Sequence, residues 1–157
     1  MKVFFIAIFI VFLSVGSSYS QVFENPYYKT SDDQTTTITR IEQTPKSTII
    51  TFEHMQTAEG WIALSKSIYL QNAEGDQMYK FIKAEGIPLS PQKKSLKGDE
   101  GKFIFKVHFE RVPSTIKTIN IIERAIPRDE AGSYFNFFGV SMDKTGKALR
   151  EGRSQRI

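Results

Sequence analysis

The sequence contains no cysteine. That removes disulfides, thiol nucleophiles, iron–sulfur clusters and every cysteine-based zinc site. Stability must then come from burial and hydrogen bonding. Histidine is scarce as well, with only His54 and His108, and there is a single tryptophan, Trp61. No Asn-x-Ser/Thr sequon occurs, and Gly-x-Ser-x-Gly, His-Glu-x-x-His and Gly-x-x-x-x-Gly-Lys-Ser/Thr are all missing. The usual signatures of serine hydrolases, zinc proteases and nucleotide-binding loops are therefore absent. No long segment keeps a 3.6-residue apolar period and no internal repeat is visible, which argues against helical bundles and solenoids.

A run of membrane-spanning length is also missing. Phe4–Leu13 is an unbroken apolar run, about half of the roughly twenty residues that a spanning helix needs. It follows Lys2 and precedes the small and polar residues Ser18-Tyr19-Ser20. This is the pattern of a secretory signal peptide over residues 1–20, with cleavage expected near Ser20/Gln21. The expected location is secreted or periplasmic, with no transmembrane anchor after cleavage. Without cysteine there is no residue to carry a lipid at the cleavage site. An exported chain with neither cysteine nor sequon suggests a bacterial source.

The formal net charge is +4, and much of the excess lies beyond Met142, where Lys144, Lys147, Arg150, Arg153 and Arg156 face only Asp143 and Glu151. Residues 143–157 read as a basic, solvated tail. Nucleic acid is not an expected partner for an exported domain.

What is present is alternation. Phe103, Phe105, Val107 and Phe109 recur at every second position, with Ile104, Lys106, His108 and Glu110 between them. A strand sends successive side chains to opposite faces, so this segment has one apolar and one mixed face, as in an antiparallel sheet. Further strands are expected over residues 35–43, 48–54, 67–71, 77–84, 118–124 and 133–142, and residues 61–64 read either as a strand or as a short helical turn. Turn residues stand between them: Thr44-Pro45-Lys46-Ser47, Asn72-Ala73-Glu74-Gly75-Asp76 and Pro113-Ser114. Two hairpins are expected, Ile38–His54 and Ser67–Ala84. Residues 21–34 read as an extended lead-in, and Ser90–Glu100 as a long polar loop. The expected fold is all-β: an immunoglobulin-like antiparallel β-sandwich of seven or eight strands over residues 35–142.

The order Ser67-Ile68-Tyr69-Leu70, Glu74-Gly75-Asp76, Gly86-Ile87-Pro88-Leu89, Gly101-Lys102-Phe103-Ile104-Phe105 and Val112-Pro113 resembles the telokin-like, immunoglobulin-related modules of secreted bacterial proteins. The resemblance spans roughly residues 67–123. It implies a binding or accessory domain without a shared catalytic centre. This chain lacks the lipidated cysteine common in that group.

Candidate chemistry is thin. His54 and His108 would have to meet a carboxylate to serve a small hydrolase or a metal-dependent enzyme. Ser90-Pro91-Gln92-Lys93 and Lys144-Thr145-Gly146 match the Ser-x-x-Lys and Lys-Thr-Gly elements of penicillin-interacting enzymes, but a polar loop surrounds Ser90 and the intervening Ser-x-Asn is missing. Asp32-Asp33, Asp99-Glu100 and Asp129-Glu130 fall in expected turns without the spacing of a calcium loop. Glu123 shares strand parity with Ile119 and Ile121, so it either faces inward and needs a partner or ends its strand in solvent. Glu42 is the other carboxylate singled out, and Arg40 and Arg124 are cations near these two in sequence.

Aromatic side chains are more plentiful than one sheet face requires. Trp61, Tyr134, Phe135 and Phe137 form the candidate binding surface. The expected function is a non-enzymatic binding or accessory domain at the bacterial envelope, engaging a protein or glycan through an aromatic or edge-strand surface, for instance by strand addition to the last strand. No cofactor and no metal is expected. The competing expectations are the enzyme using His54 and His108, and a structural envelope subunit.

Overall fold

The computed structural model describes residues 20–125 and 134–143. The expected signal segment up to Tyr19, residues 127–132 with the Asp129-Glu130 pair expected in a turn, Lys144-Thr145-Gly146 and nearly all of the expected basic tail lie outside them.

The alternating segment forms the long strand β9 (Lys102–Glu110), which pairs antiparallel with β4 (Ser47–Met55) from Ser47↔Glu110 to Met55↔Lys102. Both strands bury every second residue. Phe52 and Phe105 are direct cross-strand partners, stacked at 5.0 Å between centroids. Each such ring contributes about 1.5–3 kcal/mol through burial. The first expected hairpin brings β3 (Thr36–Gln43) onto the other side of β4. Its turn is fixed by Thr44, whose amide and hydroxyl both donate to the Ser47 carbonyl.

The second expected hairpin is β6 (Tyr69–Asn72) with β7 (Met78–Glu85), turning at Gly75, whose φ of 82° a glycine adopts without steric cost. β7 then changes partners. Its first residues pair with β6 and its last, from Phe81 to Glu85, pair with β9, with an irregularity between Phe81 and Lys83. Beyond β6 follow β10 (Thr118–Ile122) and β11 (Phe137–Ser141). The sheet folds back here: Phe137 lies 5.6 Å from Phe52, and Phe135 lies 5.3 Å from Phe105. The strands around β11 thus face β4 and β9 across one aromatic core.

The opposite lateral edge is bridged by the segment expected as a lead-in. β1 (Gln21–Glu24) pairs with β3, and β2 (Thr30–Ser31) pairs with β11. The chain therefore crosses from one half of the sheet to the other within residues 24–30. The nine-stranded order is β1-β3-β4-β9-β7-β6-β10-β11-β2.

A two-stranded ribbon completes the structure: β5 (Glu59–Ile62) with β8 (Lys94–Lys97). Every regular element among the described residues is a strand, and the fold is all-β and antiparallel. Eleven strands are present among the described residues, against the seven or eight expected. Three were not expected: β1, β2 and β8 are short and have few apolar residues, so hydrogen-bonded partners define them more than their own pattern does. The Ser90–Glu100 segment is accordingly not wholly a loop. The last strand is not an edge, because the backbone of residues 27–32 covers its outer side: Lys29 donates to the Phe138 carbonyl and Ser141 donates to the Tyr27 carbonyl. Strand addition to β11 is blocked by the protein's own chain.

Candidate functional site

The four candidate surface aromatics do not form one surface. Phe137 is 0% and Phe135 5% exposed; both rings are used in the core, Phe137 from the first position of β11 and Phe135 from the segment just before it. Tyr134 is half-buried, with its hydroxyl accepting from Arg124 at 2.8 Å and the guanidinium over its ring. Only Trp61 is open to solvent, at 59% exposure, and it stands on the ribbon. Tyr79 is likewise buried in the core, and its hydroxyl donates to Gln77.

The two histidines point to opposite sides of the sheet. His54 shares the inward parity of Ile50 and Phe52, whereas His108 alternates with Val107 and Phe109 on the outer side. His54 is opposite Phe103 and His108 opposite Ile49, five positions apart along the ladder, or about 17 Å. Among the described residues no group of three or more histidine, aspartate or glutamate side chains is placed to hold a metal ion. The convergence required by a two-histidine centre is not present. His108 Nε2 lies 3.0 Å from Glu85 Oε1 but is out of line for a hydrogen bond, and the Lys83 ammonium sits on the same carboxylate oxygen at 2.6 Å. Burial, then the Lys83 charge, pushes the His108 imidazole down, against the pull of Glu85. Glu42 faces outward beside Arg40 at 3.4 Å, a surface pair of small worth. Ser90 and Lys93 lie between Leu89 and β8, with no helix beginning at the serine.

His54 belongs to a buried polar cluster. The Thr36 hydroxyl contacts both Asp33 Oδ2 and His54 Nδ1, the latter at 2.7 Å. An ionised carboxylate only accepts. Thr36 therefore donates to Asp33, and His54 carries its proton on Nδ1 and donates it to Thr36. Asp33 Oδ1 accepts from the Thr35 amide at 2.8 Å and the Thr35 hydroxyl at 2.6 Å. Burial acts to raise the Asp33 carboxyl, but the His54 imidazole, with Nδ1 3.6 Å from Oδ2, and the hydrogen bonds from Thr35 and Thr36 outweigh it and hold it well below the usual carboxylate range.

Glu123 is the second buried carboxylate. It does face inward, and its partners are backbone amides: Ser65 donates to Oε1 at 2.7 Å and Phe135 to Oε2 at 2.9 Å. Burial pushes its pKa up, the two amides oppose this, and the nearby Asp33 charge adds to the rise. Asn136 joins the two carboxylate regions, donating to Asp32 Oδ2 and accepting from the Glu123 amide. Asp32-Asp33 thus does more than make a turn.

This cluster sits where the ribbon leaves the sheet. The chain passes from His54 through Trp61 to Ser65, so one root of the ribbon is tied through Thr36 and Asp33, and the other through Glu123. The ribbon continues the β4–β9 ladder past an interruption at Gln56, whose amide donates to the Gly101 carbonyl and whose carbonyl accepts from Glu100. Gly98 has φ +62, and a Cβ there would lie 2.7 Å from the Glu59 amide nitrogen, so only glycine permits this close approach. Leu64 then bonds to the 88–90 backbone, donating to Pro88 and accepting from Ser90.

The ribbon has an inner and an outer face. Ile62 and Leu96 pack on the core. Trp61 faces outward opposite Ser95, on the parity of Lys93 and Lys97. The Lys93 ammonium lies 3.7 Å from the indole centroid, a cation–π contact. Trp61 and its lysines were legible as residue types; their arrangement required the β5–β8 pairing.

The chain matches no family model, no curated protein and no solved structure.

Proposed function

We propose that this chain is an exported, non-enzymatic binding or accessory domain of the bacterial cell envelope, an immunoglobulin-like sandwich that engages a protein or glycan through the outer face of the β5–β8 ribbon. One observation carries this proposal: the only tryptophan of the chain is 59% exposed on a ribbon whose roots are both anchored by buried hydrogen bonds. A large apolar ring left in water on an anchored element is preorganised for contact, and binding then costs little ordering entropy. The resemblance over residues 67–123 to telokin-like modules supports the same class. The segment that passes between β3 and β11, and the strand β7 shared by both halves, support a sandwich with bridged sides.

The side-chain face is favoured over a backbone edge. β8 carries Lys94 and Lys97 at its two ends, and lysines on an edge oppose strand addition.

The test is retention of envelope material on immobilised protein. Wild type and Met78→Ala, which alters another exposed apolar side chain, should retain a common species that Trp61→Ala loses. Equal retention on all three would overturn the proposal.

A further inference from the structure

We infer that the ligand of the Trp61 face is a carboxylated polysaccharide, a chain of uronic-acid sugars; this rests on the binding role proposed above. The outer face of the ribbon places the indole between two lysines. Trp61 is opposite Ser95 and remains 59% exposed, and Lys93 and Lys97 stand two positions to either side of Ser95. At the usual rise of a strand the two lysines are about 13 Å apart.

Their surroundings differ. Lys97 stands opposite Glu59 in the ladder register, with no ion pair between the two side chains. Lys93 has no carboxylate within ion-pair distance among the described residues, and its ammonium rests on the indole instead. An anion meeting Lys93 is therefore held beside the face of an aromatic ring. A ligand suited to this site needs a negative group next to a flat apolar surface. A uronic-acid sugar has both: a ring face of C–H groups to lie on the indole, and a carboxylate to meet the ammonium. Repetition along the polymer lets a second carboxylate reach Lys97.

Other anionic partners use only part of the site. A neutral sugar would use the indole and leave Lys93 idle. An acidic peptide would engage the lysines without needing the ring. Docking on an anionic bilayer by inserting Trp61 would carry the Lys93 ammonium on the ring toward hydrocarbon, where a charge is costly.

The experiment is titration of the full-length mature chain, followed by the emission of its single tryptophan and by calorimetry. The probes are polygalacturonate, uncharged dextran, polyglutamate, and vesicles of phosphatidylcholine with phosphatidylglycerol. Polygalacturonate should alter the Trp61 emission saturably and more weakly at high salt. Lys93→Ala and Lys97→Ala should each lower affinity about fivefold, the worth of a partly exposed charge contact, with unchanged urea midpoints. Trp61→Ala should abolish the calorimetric signal. Dextran binding that is indifferent to both lysine variants would overturn the carboxylated class while leaving the binding role intact. Preference for polyglutamate or vesicles would overturn it in favour of an acidic protein or a membrane surface. Absence of binding to all four probes also overturns the inference, whereas the binding role fails only if envelope retention does not depend on Trp61.

Discussion

Thr36 and His54 are direct cross-strand partners, and the Thr36 hydroxyl lies 2.7 Å from His54 Nδ1. They meet because β3 has an irregularity between Ile38 and Arg40. Without the extra residue, the register set by the Thr44–Ser47 turn would place Thr37 opposite His54 and turn Thr36 to the other face. The hydroxyl is both donor and acceptor, which is what a link between a carboxylate and an N–H requires.

Thr36→Val keeps the shape of the side chain and removes both hydrogen bonds. The Asp33 oxygen and the His54 N–H would be left buried and short of partners, at about 1–3 kcal/mol. Thr36→Ser should recover most of the loss. Urea unfolding of the two variants checks this; equal midpoints for valine and serine would contradict the assigned link.

Glu123→Gln tests the other anchor. An amide side chain presents N–H2 to one of two backbone donors, so either Ser65 or Phe135 loses its acceptor, again at about 1–3 kcal/mol. The pH dependence is distinctive. Because burial raises the Glu123 pKa above its ordinary 4.5, this group's stabilisation is full below that value and is lost as pH rises through the folded pKa. The penalty of Glu123→Gln should accordingly be greatest in acid and shrink as pH rises. A penalty that grew with pH would reverse the sign.

The acid limb should come from other groups. His108 and Asp33 both have folded pKa values below their ordinary 6.5 and 3.8. Their stabilisation is present above those values and is lost as pH falls through the folded ones. The His108 portion goes first, below pH 6.5, and the Asp33 portion follows at stronger acid. Unfolding curves of His108→Gln should show a shallower loss below pH 6.5 than wild type. An unchanged slope there would mean His108 is not the responsible group.

Phe137→Ala and Trp61→Ala should separate core from surface. Phe137 is fully buried against Phe52 and Tyr28, and its truncation should cost about 3–5 kcal/mol. Trp61 is largely in water, and its loss should stay within about 0.5 kcal/mol. Thermal unfolding distinguishes them. A large loss for Trp61→Ala would mean that the ring is structural.

Of the eleven strands among the described residues, seven were legible as strands, most of them because burial of one face writes itself into the sequence as alternation, while β5 was left open between a strand and a helical turn. β9 and β4 are the clearest cases. β1, β2 and β8 left no such mark: Gln21–Glu24, Thr30–Ser31 and Lys94–Lys97 become strands by hydrogen bonding to neighbours that only the tertiary fold supplies. The same limit applied to the aromatics. The sequence around Phe135, Phe137 and Phe138 is apolar at both parities, so it does not say which rings turn inward. Nor does parity alone reveal that Glu123 has amide partners from residues 65 and 135, far apart in the chain. The ribbon was hidden for a simpler reason: Trp61 and Lys93 are 32 positions apart, and β8 was not visible as a strand.

The most direct test of the account is the Trp61 indole N–H in a proton–nitrogen spectrum of the protein, where one tryptophan gives one indole signal. On titration with a soluble envelope extract, that signal and the amides of Ser95 and Lys97 should shift together and saturate, while those of Met78 and Ile104, exposed elsewhere, stay in place. An indole signal that does not move while shifts gather on the outer face around Ile104 and His108 would contradict the account.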